Sequence, residues 1–139
     1  MLVIAGILLG MVALNAMPSE RQALQTDAQR VALLLQLARD EAIVRNRAIA
    51  FEADSNRYRF LIRDDNKWRP ITQDDLLRER EFKRAPIAVS ISPATVAESN
   101  PLRIVFGREP VDKPFVLTLA GAETSVTIRA DGIGHFLVE

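Results

Sequence analysis

Residues 19–47 contain neither glycine nor proline and are rich in Ala, Leu, Gln, Glu and Arg, all good helix formers. Ser19 and Gln22 have the spacing of a capping box, which marks a helix start. Leu24, Ala28, Val31, Leu35, Ala38 and Ala42 recur at steps of three and four, forming one apolar stripe expected to face the protein's own core. On a wheel of about 100° per residue, Leu33, Leu37 and Val44 fall nearly opposite, separated from the first stripe on one flank by Gln29, Gln36, Asp40 and Arg47. One helix therefore offers two apolar faces. Either its own domain wraps both, which about 90 further residues can do only in part, or the second stripe packs against helices of other subunits.

Ahead of this helix, residues 1–19 carry no charged side chain, and the apolar run Met1–Leu14 is broken only by glycines. At about 1.5 Å per residue, a helix over 1–18 approaches the thickness of a bilayer's hydrocarbon core, so it is expected to be the membrane-embedded part. Leu2, Ile4, Gly6, Ile7, Gly10 and Val12 are its expected membrane and helix-packing positions. Gly6-Ile7-Leu8-Leu9-Gly10 has the G-x-x-x-G spacing that lets a neighbouring helix come close. Pro18 is expected to kink one continuous helix or to separate two. A cleaved signal peptide fits poorly, because no Lys or Arg precedes Arg21 and Leu14-Asn15-Ala16 is a poor small-x-small site.

From Ala48 the period changes from helical to alternating. Ile49 and Phe51, then Tyr58, Phe60 and Ile62, read as two strands joined by Asp54-Ser55-Asn56. Asp64-Asp65-Asn66-Lys67 reads as the next turn, leading into an edge strand at Trp68–Ile71 that contains Pro70. Residues 73–84 read as a charged connector or short helical turn. Further strands are expected at Ile87–Ser92, Leu102–Phe106, Phe115–Leu119, Ser125–Arg129 and His135–Val138. The expected fold is α+β: a long helix over 1–18 and 19–47, packed on an antiparallel β domain over 48–139 of about seven to eight strands.

Lys+Arg and Asp+Glu balance at 18 each, so no global field calls for nucleic acid or an acidic substrate. The absence of cysteine rules out disulfides and thiolate metal sites. The single histidine, His135, has no second histidine or cysteine to complete a transition-metal site and no G-x-S-x-G elbow to serve, so it reads as a strand or turn residue. Asp64-Asp65 and Asp74-Asp75 do not fit a calcium loop and read as turn and capping residues, while Asp131-Gly132-Ile133-Gly134 reads as a turn. No catalytic, metal or cofactor site is expected. Arg57, Arg59 and Arg63 alternate with Tyr58 and Phe60, which places the aromatic residues on one sheet face and the arginines on the other. A stacking platform for single-stranded nucleic acid would need both on one face.

An apolar N-terminal helix, a helix-breaking Pro18, an amphipathic continuation and a compact antiparallel β domain together resemble a type IV pilin or type II secretion pseudopilin. Leu2–Gly10 resembles the middle of that family's N-terminal helix, and Asp27–Asn46, with Asp40-Glu41-Ala42-Ile43 and Arg45-Asn46-Arg47, is similar to the minor pseudopilin H group that shares a domain family with FimT and FimU. The family's G-F-T-L-x-E segment, with its cleavage site, methylation site and assembly glutamate, is expected in coding sequence immediately upstream of Met1. The resemblance implies a non-enzymatic minor pseudopilin of the type II secretion system, single-pass in the inner membrane, with its C-terminal domain in the periplasm. The implied partners are other pseudopilins, met through helix packing at Leu33, Leu37 and Val44, and secreted substrate proteins. Arg129 is the only Lys or Arg after Lys113, which argues against the DNA-receptor branch of the family. A minor type IV pilin for pilus assembly, adhesion or DNA uptake is the nearest alternative, and a membrane-anchored periplasmic hydrolase using His135 is the alternative from another class.

Overall fold

The computed structural model describes residues 19–94 and 101–139. Helix α1 runs Glu20–Arg45 and opens on a reciprocal capping box, in which the Gln22 N–H donates to Ser19 Oγ and the Ser19 N–H to Gln22 Oε1, both at 3.2 Å. Two amides that would lack an intrahelical partner are thereby satisfied. Ser19 itself is extended, with φ −65° and ψ 162°, so the first helical turn begins at Glu20. The helix ends on Asn46, whose left-handed conformation (φ 55°) lets the Arg47 N–H reach the Ala42 carbonyl at 3.1 Å. The expected membrane-packing positions Leu2, Ile4, Gly6, Ile7, Gly10 and Val12, and the kink at Pro18, lie outside the described residues. Among the described residues no helix is long and apolar enough to cross a membrane.

Among the described residues nine strands follow: β1 (Ile49–Ala53), β2 (Arg57–Asp64), β3 (Lys67–Pro70), β4 (Arg80–Glu81), β5 (Ala88–Ser92), β6 (Leu102–Phe106), β7 (Phe115–Ala120), β8 (Ser125–Ala130) and β9 (Phe136–Val138). The strand beyond the expected seven or eight is β4, which arises within the charged connector by pairing Arg80 with Tyr58 and Glu81 with Arg57. All pairings are antiparallel, and the strands divide into two sheets. One has the order β3-β2-β1-β6 with β4 attached to β2, and the other has the order β5-β7-β8-β9. The β2–β3 register is set by a two-residue turn in which Asp65 (φ 50°) and Asn66 (φ 63°) are both left-handed, the geometry that matches strand twist.

The core lies between α1 and both sheets. Leu24, Ala28, Val31, Leu35, Ala38 and Ala42 are all buried against them. Phe51 packs against Tyr58 and Phe60 with ring centroids 5.9 and 5.5 Å apart, and Phe82 from the connector joins Tyr58 at 5.1 Å. The two sheets meet where Phe136 of β9 lies 6.2 Å from Phe106 of β6 and 6.4 Å from Phe115 of β7. At the other end, Glu20 accepts the Glu123 N–H at 3.2 Å and Arg21 donates to Thr124 Oγ1 at 3.3 Å, fastening the helix start to the β7–β8 hairpin. Gly121 leaves room for the Glu20 carboxylate, which a Cβ there would push aside.

Candidate subunit interface

The three residues of the second helical stripe have different fates. Leu33 is 68 % exposed and Val44 80 %, whereas Leu37 is partly buried against the protein's own core. The domain therefore covers Leu37 in part and leaves the other two in the open. Leu33 and Val44 also stand about 16 Å apart along the helix axis, so they do not form one patch.

Leu33 instead joins a groove that the chain's pattern does not reveal. Gln29, Ala32, Leu33 and Gln36 of α1 form one wall, and Phe136 and Val138 of the edge strand β9 form the other, enclosing about 340 Å³. The alternation of Phe136 and Val138 turns both toward the helix, but only tertiary packing sets them beside Leu33.

A buried arginine lies beside the turn that leads into β9, and a turn aspartate organises that turn. Arg39, on the flank of α1, donates through Nη2 to the Pro110 carbonyl and lies 3.4 Å from Asp112 Oδ2 through Nε. The ion pair is close but not aligned as a hydrogen bond. Burial pushes the Asp112 carboxyl up, against the pull of the Arg39 charge. Gly134 lets the guanidinium pass, since a Cβ there would lie 2.7 Å from Nη1. Asp131 then organises the turn into β9: its Oδ1 accepts the Ile133 N–H at 2.8 Å and the His135 N–H at 3.0 Å. The Ile133 bond, with those from His135, holds the Asp131 carboxyl down at about 2. His135 is exposed and its Nδ1 sits 2.6 Å from Asp131 Oδ2, so it is one more partner of the same turn.

The remaining aspartates named in the sequence also shape loops. Asp54 Oδ1 accepts from Asn56 and Arg57, Asp74 Oδ1 accepts from Leu76 and Leu77, and Asp64 pairs with Arg47 at 3.3 Å. Among the described residues no three His, Cys, Asp or Glu side chains gather as a metal-binding group.

On the face of the five-stranded sheet turned away from α1, Glu52 of β1 is 7 % exposed between two arginines. Its Oε1 accepts from Arg59 Nε at 2.9 Å, and its Oε2 from Arg103 Nη2 at 2.5 Å. Burial pushes the Glu52 carboxyl up, yet the bonds from Arg103 and Arg59 outweigh it and hold it below the usual glutamate range. The expected separation of aromatic residues from arginines holds for Tyr58 and Phe60 but not for Trp68. Trp68 pairs with Arg63 across β3 and β2, and the guanidinium carbons of Arg63 and Arg103 lie 5.7 and 5.9 Å from the centre of its ring.

The sequence profile of the family described as type II transport protein GspH matches residues 27–134, from the second turn of α1 to the β8–β9 turn. No curated protein sequence matches the chain significantly. The fold is similar to two structures of the minor pseudopilin EpsH from the type 2 secretion system of Vibrio cholerae. One has 20 % identity and a TM-score of 0.64, over 84 % of this chain and 95 % of that one. The other has 15 % identity and a TM-score of 0.66, over 86 % and 95 %. It is also similar to the type IV minor pilin FimU of Pseudomonas aeruginosa, at 19 % identity and a TM-score of 0.59 over 86 % and 90 %. With most of its helix and every strand up to β8 inside the matched region, the chain belongs to the GspH family of type II transport proteins.

Proposed function

We propose that this chain is a minor pseudopilin of the type II secretion system, a subunit of the short periplasmic filament that serves protein export. The observation that carries the reading is the GspH match over residues 27–134, which takes in the helix together with the β domain. The uncharged residues 1–19 supply an inner-membrane anchor, and the β domain then stands in the periplasm. The family is one of structural subunits and not of enzymes. The His135–Asp131 pair accordingly serves a turn.

In this reading the subunit meets other pseudopilins through α1, with Leu33 and the groove beside β9 as the apolar contact and β-domain loops adding specificity toward neighbours and secreted substrates. Leu33→Glu is the sharper test than a change at Leu37, because Leu33 is exposed while Leu37 also packs on the protein's own core. Full-length Leu33→Glu, coexpressed with its partner pseudopilins, is expected to lose cross-linked co-assembly while keeping the thermal stability of the parent. Unchanged co-assembly would remove this face from the interface.

The similarity to FimU favours a second reading, a minor type IV pilin. Deleting the coding sequence separates the two. Loss of enzyme export with intact twitching supports the pseudopilin, and loss of twitching or DNA uptake with intact export supports the pilin.

A further inference from the structure

β9 is composed like a strand from the middle of a sheet, yet it lies at the edge of one. Its residues Phe136-Leu137-Val138 are an unbroken apolar run, the composition of a strand covered on both faces. Phe136 and Val138 turn toward α1, while Leu137, on the other face, is 61 % exposed. The longer edge strands among the described residues are guarded. β3 carries Lys67, Arg69 and Pro70, β5 turns Ser90 and Ser92 to solvent, and β6 turns Arg103 outward. Within β9 no charge, proline or hydroxyl discourages another strand.

The main chain of β9 is open as well. The Thr127 N–H donates to the Glu139 carbonyl at 3.1 Å and the Glu139 N–H to the Thr127 carbonyl at 2.8 Å, while the Asp131 N–H donates to the His135 carbonyl at 3.2 Å. Bonded pairs alternate along an antiparallel ladder, so Leu137 bonds to Arg129, and the N–H and C=O groups of Phe136 and Val138 point away from β8. Among the described residues those groups have no partner. They open beside the groove of about 340 Å³ whose other wall includes Gln29, Leu33 and Gln36, and no charged side chain lines it.

We propose that a neighbouring subunit adds an extended strand to this edge, its main chain against Phe136 and Val138 and its uncharged side chains in the groove beside Leu33. The inference deepens the pseudopilin reading and rests on it for the partner. Unpaired main-chain groups call for main-chain donors and acceptors, which an extended segment offers at matching spacing and a docked helix does not. A strand of three residues holds few such bonds, so the groove supplies the remaining contact, and its lack of charge selects apolar and neutral side chains. A second copy pairing β9 with β9 fits less well. α1 runs from the β7–β8 hairpin toward the β8–β9 turn, so antiparallel pairing about Leu137 would point the two helices in opposite directions, against two anchors in one membrane.

The full chain is purified in non-ionic detergent, alone and with its partner pseudopilins, and amide hydrogen exchange is followed in both. The Phe136 and Val138 amides are expected to exchange about tenfold more slowly in the complex. Val138→Pro removes one outward donor and none of the β8 bonds, and is expected to weaken co-assembly by about tenfold, whereas Val138→Ala, which keeps the N–H, weakens it by less than about threefold. Circular dichroism checks that both variants fold; if Val138→Pro does not, exchange in the parent decides alone. A complex whose Phe136 and Val138 amides exchange as in the free chain, as a docked helix would leave them, overturns the added strand and leaves the pseudopilin reading standing. Co-assembly unchanged by Val138→Pro does the same. Protection that arises in the chain alone as its concentration rises identifies a second copy and overturns the proposed occupant. Failure to form any complex with pseudopilins overturns both ideas.

Discussion

The two faces of the five-stranded sheet are built from alternate residues of the same strands, and they solve burial differently. Toward α1, Phe51, Tyr58, Phe60 and Ile104 are buried by helix and neighbouring strands, and the face is held by volume and ring contacts. Away from α1 no helix or strand of the described residues covers the sheet, yet Leu61 and Ala50 are buried as deeply. Their register neighbours on that face are Trp68 and arginines whose heads are engaged by Glu52 and by the indole ring. One face therefore depends on packing, and the other on a charge arrangement that also keeps apolar carbon dry.

Substitution can push the two faces apart. Phe60→Ala strikes the packed face and is expected to cost about 3–5 kcal/mol, read as a shift of the denaturation midpoint at unchanged slope. Glu52→Gln strikes the charged face. It removes the negative charge that Arg59 and Arg103 share, but their side chains are 39 % and 24 % exposed, so solvent limits the expected loss to about 1–2 kcal/mol. A loss at Glu52 as large as at Phe60 would mean that the outer face is as dependent on its contacts as the inner one.

The same contrast has a pH signature. Glu52 is held below the ordinary glutamate value, so its contribution is present above about pH 4.5 and is lost as pH falls through the lowered folded value. Asp27, buried on the inner flank of α1 and accepting the Lys83 N–H at 2.9 Å, is raised by that burial against the Lys83 bond and the Lys83 and Arg30 charges. Its contribution runs the other way, present at low pH and lost as pH rises through the raised value. Melting profiles should therefore show the Glu52→Gln deficit shrinking toward acid, and Asp27→Asn becoming worse relative to the parent there. Parallel trends in the two variants would contradict these environments.

The smallest expected effect is at Arg63. The residue is exposed and its guanidinium lies over the Trp68 ring, so Arg63→Gln should change stability by no more than about 0.5 kcal/mol.

Much of this architecture is written in local pattern. The helix limits follow from Ser19, Gln22 and Asn46, and the strands from alternation between turn residues, because caps and φ > 0 positions are decided within a few residues. The connector strand β4 escaped that reading because two residues carry no period, and only pairing with Arg57 and Tyr58 makes them a strand. The division into two sheets is equally non-local: β5 crosses to pair with β7 while β6 returns to β1. At the proposed interface, the pattern identifies Leu33, Leu37 and Val44 as a second stripe. It cannot tell which of them the domain covers.

By itself the sequence determined the balanced charge, the uncharged opening segment, the helix with its core stripe and the outward alternation of the arginines, since each depends on residue type and spacing alone. Tertiary structure decided that Leu33 opens onto a groove beside Phe136 and Val138. It also set Trp68 among the arginines and placed Glu52 between two of them. Those are meetings of segments far apart in the chain, and their geometry is fixed by strand register and by which surface each side chain must cover.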